Sequence, residues 1–320
     1  MSTYSRRALV GDIGGTNMRF AIADIDELTI SDFALLASAD FDDPRQAIER
    51  YLKTIPERPD MVGLAIAGPV ADGTATMTNR PWLFDRDQIR ATTQAAHVHF
   101  VNDFEALALA LPRLSAYDLH HIGGGGAVKD APMVVLGPGT GLGVAALVNS
   151  PAGPMAIATE GGHVTFGATD ADELALLRRI VADPDYLGAE ELLSGRGLVA
   201  LYRALSGRTE GGFRAPDIVE RALTEKDPLA RRALEQFVTW LGRFAADVAL
   251  AYGARGGVYI AGGIASNIVE AMSTGAFRAA FEYKGSHAAY VASIPVHVIK
   301  TGADAGLRGA AIALAQRIEA

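Results

Sequence analysis

Short apolar runs, each broken by glycine or a polar pair, set the rhythm of the first half of the chain. Residues 8–10 lead into GDIGGTN at 11–17 and residues 19–23 return from it, which predicts a β-hairpin over 8–23. Residues 44–54 carry helical spacing, with Pro44 suited to a first turn, where its missing N–H leaves no bond unmade. Residues 61–67 predict a strand ending in Gly68-Pro69, and 98–101 another ending in Asn102-Asp103. A helix then runs from Phe104 to about Leu111 and stops at Pro112. The stretch 121–129, with four consecutive glycines, reads as a loop between lobes.

The pattern then restarts. A strand at 133–136 enters GPGTGLG at 137–143, and 143–148 returns, an echo of 8–23 that suggests duplication at the level of topology. Between 228 and 252, Leu234, Phe237, Val238, Leu241, Ala245, Val248 and Tyr252 form a stripe of 3.6-residue period, with Arg231, Arg232, Glu235 and Asp247 largely off it. That predicts a core helix. Residues 258–261 form a strand running into Gly262-Gly263, 294–299 another, and a last helix covers roughly 305–318.

Composition narrows the classes. At 320 residues the chain is long for a single core, so two lobes are expected. A hydrophobic content of 49% supports a large interior. The formal charge of −8 disfavours nucleic acid as the main partner, yet leaves room for a small anion held by loops. With no cysteine there is neither disulfide nor thiolate metal site, in keeping with a reducing cytoplasm. The three-residue apolar run before the first glycine loop is too short for a signal-peptide core, and no apolar stretch approaches the ~20 residues of a membrane helix. A soluble, cytoplasmic protein is expected, with no membrane partner and no room before Ala8 for a DNA-reading helix-turn-helix.

The two glycine-threonine loops carry the chemistry. Glycine lets a turn bring bare backbone N–H groups up to an anion. Thr16 and Thr140 add hydroxyl donors, and Asp12 adds a carboxylate able to hold a Mg²⁺-bound water. Two such loops, each leaving a strand, suggest two halves gripping one nucleotide phosphate chain from opposite sides. Neither carries the lysine of GxxxxGK[ST], and GDIGGTN does not fit the dinucleotide GxGxxG pattern, so hydride chemistry is disfavoured. Asp103, between a strand and a helix, is either a helix-capping aspartate or a carboxylate that takes a proton from an attacking hydroxyl; both roles can coexist. Glu160 and His163, two glycines apart, suit the donor and acceptor needs of vicinal hydroxyls, although a lone histidine is more commonly structural. A metal reading of His163 fails for want of spaced ligands. Of the adjacent Glu190 and Glu191, one side chain faces inward if the stretch is helical.

The ordered set GDIGGTN (11–17), MTNRPW (77–82), VNDFEALAL (101–109), GPGTGLGVA (137–145), EGGHVTFG (160–167), LSGRGL (193–198) and GGVYIAGGI (256–264) resembles the bacterial glucokinase family, hexokinase-like members of the actin-like ATPase-domain superfamily. The resemblance spans almost the whole chain. It implies an α/β, two-lobed actin-like ATPase (ribonuclease-H-like) fold with an interlobe active-site cleft. The small lobe is expected at 1–110 plus 300–320 and the large lobe at 111–299.

By the same resemblance, Asp103 is the catalytic base, and Asn102, Asp103, Glu160, His163 and Glu190 bind the sugar, with Glu191 the solvated neighbour. Gly11, Asp12, Ile13, Gly14, Gly15, Thr16 and Asn17 form one phosphate loop and Gly139, Thr140 and Gly141 the other. Gly262 and Gly263 match an adenosine-binding turn, with a simple turn into a helix as the competing reading. No direct metal ligand is assigned beyond Asp12 through water. Thr78, Asn79 and Trp82 match a supporting segment near the sugar, with packing the plainer role for Trp82. Arg196 carries no assigned mechanism, and sugar kinases with a cysteine-rich zinc motif match less well. The implied activity is ATP- and Mg²⁺-dependent phosphorylation of D-glucose at its 6-hydroxyl by a homodimer. A kinase for fructose, mannose or N-acetylglucosamine, and a non-catalytic sugar-sensing regulator, are the alternatives.

Overall fold

The computed structural model describes residues 6–77, 80–151, 153–181, 186–207, 212–224, 227–302 and 304–319. Thr78 and Asn79 lie outside them. The chain divides into two compact units, one of residues 1–114, 154–158 and 304–320, the other of residues 115–153 and 159–303. Among the described residues no helix is long and apolar enough to cross a membrane.

In the first unit, β1 (Arg7–Ile13), β2 (Asn17–Asp24), β3 (Ile30–Ala37) and β4 (Met61–Ile66) precede three short strands, β5 (Val70–Ala71), β6 (Thr74–Thr76) and β7 (Leu83–Asp85), and then β8 (His97–Asn102). The main sheet runs β3-β2-β1-β4-β8. Strand β1 forms the expected hairpin with β2 and lies parallel to β4, which in turn lies parallel to β8. Covered on both faces, β4 has every residue buried, as its unbroken apolar run requires. The helix Pro44–Leu52 starts at the expected proline, with the Asp43 carboxylate accepting from Arg45 N–H. The last helix, Ala305–Glu319, packs on β1, β4 and the helix Asp103–Ala110. Its alanines and glycines permit that close approach.

The second unit repeats the motif. Its strands are β9 (Leu119–Gly123), β10 (Met133–Pro138), β11 (Leu142–Ser150), β13 (Gly257–Ile260) and β14 (Val296–Ile299); β12 (Gly153–Thr159) follows β11 in the chain. The strands β11-β10-β13-β14-β9 lie side by side in that order. Strand β10 pairs antiparallel with β11 and parallel with β13, as β1 does with β2 and β4. The core helix spans Pro228–Tyr252, capped by Asp227 at its start and by left-handed Gly253 at its end. Its expected stripe is buried from Leu234 to Val248, joined by Trp240 and Phe244.

One expectation needs correcting. Residues 121–123 are not loop but the end of β9, which pairs antiparallel with β14. Its sequence, LHHIG, has no apolar alternation, because β9 is an edge strand with His120 and His121 exposed.

Candidate active site

In the first unit, the loop after β1 is tied back by its carbonyls. Ser38 Oγ donates to Gly14 O at 2.8 Å, Arg80 Nε to Gly15 O at 2.9 Å, and Ser38 N–H to Thr16 O at 2.9 Å. Because C=O and N–H of a trans peptide point opposite ways, these bonds turn the N–H groups of Gly15 and Thr16 to the other side of the loop. That presentation suits an anion. Arg80 also stacks 4.8 Å over Trp82, whose indole N–H donates to Asp42 O at 2.8 Å. Trp82 is 5% exposed and serves packing.

Asp12 stands opposite Arg19 in the β1–β2 register, and Arg19 Nη1 donates to its Oδ2 at 3.0 Å. Gly306, at the start of the last helix, lies so close that a Cβ there would sit 2.8 Å from the Asp12 carboxyl carbon. Burial raises the Asp12 carboxyl above its ordinary range, and Arg19 opposes the rise.

Asn102, not Asp103, is the helix cap. Its Oδ1 accepts from Phe104 and Glu105 N–H at 3.0 and 3.2 Å, and its Nδ2 donates to Gly68 O at 3.1 Å. Asp103 is therefore the first helical residue, with Oδ1 accepting from Phe104 N–H at 3.0 Å. Burial, and then the Asp12 charge, push its carboxyl up to about 7, against the pull of the Phe104 N–H. A carboxyl at that value can take a proton near neutral pH and still be substantially ionised.

In the second unit, the loop after β10 closes on itself through Gly139 N–H to Gly141 O at 2.8 Å, and Gly195 N–H donates to Gly139 O at 2.9 Å. Glu190 reaches the same loop from the helix Ala189–Leu192, its Oε2 accepting Leu142 N–H at 2.8 Å. Gly141 makes room for it, since a Cβ there would meet Glu190 Oε2 at 2.4 Å. The Glu190 side chain is 17% exposed and that of Glu191 48%, so Glu190 is the inward carboxylate.

Glu160 precedes a single 3₁₀ turn over Gly161–His163, and His163 ends it. Their side chains approach at 3.8 Å and are largely exposed. Thr159 Oγ1 anchors the turn, accepting from Gly161 N–H at 3.1 Å and donating to Val144 O at 2.8 Å, while Tyr186 OH donates to His163 O. Gly262, at φ 94°, leads into the short helix Gly263–Asn267, so the turn does enter a helix.

The first unit thus gathers Gly11 to Asn17 with Asn102 and Asp103, and the second gathers Gly139 to Gly141 with Glu190. Sequence reasoning missed Arg19, Ser38, Arg80 and Gly306, and it singled out Arg196 without giving it a role. A signal existed for Arg19 alone, because the predicted hairpin already sets it opposite Asp12.

Solved structures give the class. A glucokinase from an Antarctic psychrotroph superposes with a TM-score of 0.84 at 33% identity, covering 97% of this chain and 98% of that one. A glucokinase of the ROK family from Streptomyces griseus, in complex with glucose and AMPPNP, shares the fold at a TM-score of 0.64 and 22% identity, with 95% and 98% covered. The chain has the two-lobed actin-like ATPase fold of the sugar kinases. Residues 9–317 match the Glucokinase family model, and the Erwinia tasmaniensis glucokinase is 40% identical over 298 residues, 92% of this chain and 93% of that protein. The chain belongs to the glucokinase family.

Proposed function

We propose that the chain transfers the γ-phosphoryl group of ATP to the 6-hydroxyl of D-glucose, with Asp103 as the base. The observation that carries the reading is the Asp103 carboxyl, held beside the capping Asn102 and raised to about 7. Its carboxylate accepts the 6-hydroxyl proton as that oxygen bonds to the γ-phosphorus, and the bond to the β-phosphate oxygen breaks to release ADP. Asn102, Glu160, His163 and Glu190 bind and orient the sugar hydroxyls, so that positioning and charge stabilisation lower the barrier. Loops 11–17 and 139–141 hold the phosphates, and Gly262-Gly263 the adenosine.

The residues fit a Mg²⁺ ion. This ion keeps most of its waters and needs only one or two carboxylates beside substrate phosphates, and the described residues offer Asp12 rather than a cluster of three ligands. Bound there, it would neutralise phosphate charge. The family resemblance further supports a homodimer in the cytoplasm, and light scattering measures the assembly.

The test is the initial rate of ADP formation from Mg-ATP with glucose, fructose, mannose and N-acetylglucosamine in parallel. A dominant glucose rate supports the assignment. Preference for another hexose keeps the mechanism and replaces the substrate, whereas folded protein inert toward all four refutes the kinase reading.

A further inference from the structure

Arg196 is unused by the proposed mechanism, yet it touches the site. It lies in the first turn of the helix Gly195–Ser206, where Ser194 Oγ accepts Gly197 N–H at 3.2 Å and fixes the start of the helix. Its Nη2 donates to Glu190 Oε1 at 2.6 Å and to Glu191 Oε1 at 3.3 Å. The Glu190 carboxylate is thereby held at both oxygens, by Arg196 on one and by Leu142 N–H on the other. Leu142 directly follows the loop 139–141, and Gly195, beside Arg196, donates to that loop at Gly139 O.

This clasp has little to do for folding. The Arg196 side chain is 58% exposed, and ion pairs with that much water around them add little stability. What it does is geometric. A carboxylate held by one N–H alone can rotate about its last bond, and the adjacent Glu191 charge would push it away. A guanidinium bonded to both carboxylates removes the rotation and answers the repulsion, while leaving lone pairs on Glu190 for a hydroxyl to donate into.

We infer that Arg196 is a positioning residue that pre-orients Glu190 for the sugar and, through the Glu190–Leu142 bond, links sugar occupancy to the geometry of the phosphate loop. The inference rests on the reading of Glu190 as a sugar-binding carboxylate. The linkage follows because one carboxylate is shared: a hydroxyl that pulls on Glu190 also pulls on the N–H that follows the loop. A nucleotide that orders the loop, in turn, holds Glu190 still for the sugar. Such coupling is reciprocal between the two ligands.

The experiment uses the full chain with Arg196→Ala and Arg196→Lys. Glucose KM and kcat are measured at saturating Mg-ATP, thermal midpoints are compared, and glucose binding is titrated with and without a non-hydrolysable ATP analogue. Arg196→Ala should raise glucose KM about tenfold, the scale of one charge-assisted hydrogen bond, with kcat kept within about threefold. Lysine, which keeps the charge but not the planar fork, should fall between alanine and arginine. The analogue should tighten glucose binding about fivefold or more in the unchanged chain and leave Arg196→Ala indifferent. An unchanged KM with the linkage intact overturns the inference, as does a fall in kcat and thermal midpoint at constant KM. If the unchanged chain turns over no hexose, the kinase reading falls and the inference with it. If it turns over glucose and Arg196→Ala matches it, the inference falls alone.

Discussion

The polar groups of the two units are prepared for different work. In the first unit, Asp12 and Asp103 sit against protein on most sides, and burial raises both carboxyls. In the second, Glu160 and His163 stand 82% and 58% exposed on a turn whose backbone, rather than side chains, is anchored. A group that must exchange a proton near pH 7 needs an environment that moves its affinity. A group that only hydrogen-bonds a hydroxyl needs a fixed base and open lone pairs. Glu190 stands between the two cases, its carboxylate pinned at both oxygens and its side chain mostly covered.

The comparison breaks most sharply at Asp103. Asp103→Ala should lose about 10²–10⁴-fold in kcat, the usual contribution of a positioned base, while still binding glucose by calorimetry, weakened by about tenfold at most. Near-normal turnover would remove Asp103 from the chemistry. Asp103→Asn separates activity from stability. A carboxyl raised from 3.8 to about 7 favours folding below its unfolded value and loses that contribution as pH rises through 7. The partly exposed side chain limits the effect to on the order of 2 kcal/mol. The asparagine variant should therefore melt higher than the unchanged protein at pH 8, with the gap closed near pH 4.

The pH dependence of the unchanged enzyme is the next effect in size. Because the base must be ionised, kcat/KM should rise with unit slope up to about pH 7 and then level off. At pH 5 the rate should be about a hundredfold below the plateau, which follows from two pH units of protonation. A limb with its midpoint near pH 4 would mean that burial does not set the Asp103 value in the working enzyme.

Glu160→Gln and His163→Ala test the open half. Each should raise glucose KM by about tenfold to a hundredfold, the range for one lost hydroxyl partner, with kcat less affected. Since both side chains are exposed, thermal midpoints should move little. A large drop in stability would make His163 the structural histidine that its isolation in the sequence also allows.

Legibility followed the range of the interaction. Both hairpins showed because strand, glycine turn and return strand are neighbours in the chain, and the helix Pro228–Tyr252 showed because one stripe repeats over many turns. The edge strand β3 was missed: its Asp32, Phe33 and Leu35 are all exposed, so no alternation marks it. Asn102 as cap was hidden because either member of Asn-Asp can cap a helix. The Glu190–Leu142 bond joins positions 48 residues apart, and no local spacing encodes it. Asp12 and Arg19, by contrast, follow from the hairpin register, so their pairing was readable though unread.

That pair gives the smallest and most discriminating effect. Arg19 lowers the Asp12 carboxyl, and the Asp12 charge raises Asp103. Replacing Arg19 by methionine leaves burial and the Asp304 charge to act on Asp12, and both favour its protonated form. The more Asp12 holds its proton, the less it repels the Asp103 carboxylate, so the Asp103 value should fall. The acid limb of kcat/KM should therefore move to lower pH in Arg19→Met, read as more activity relative to plateau at pH 6. The plateau itself should drop through weaker phosphate-site geometry. The relay predicts that Asp12→Asn moves the limb in the same direction, and that adding Arg19→Met to it moves the limb no further. A limb that stays in place in all three variants would show Asp103 to be governed by its own burial, with no share for the Asp12 charge on β1.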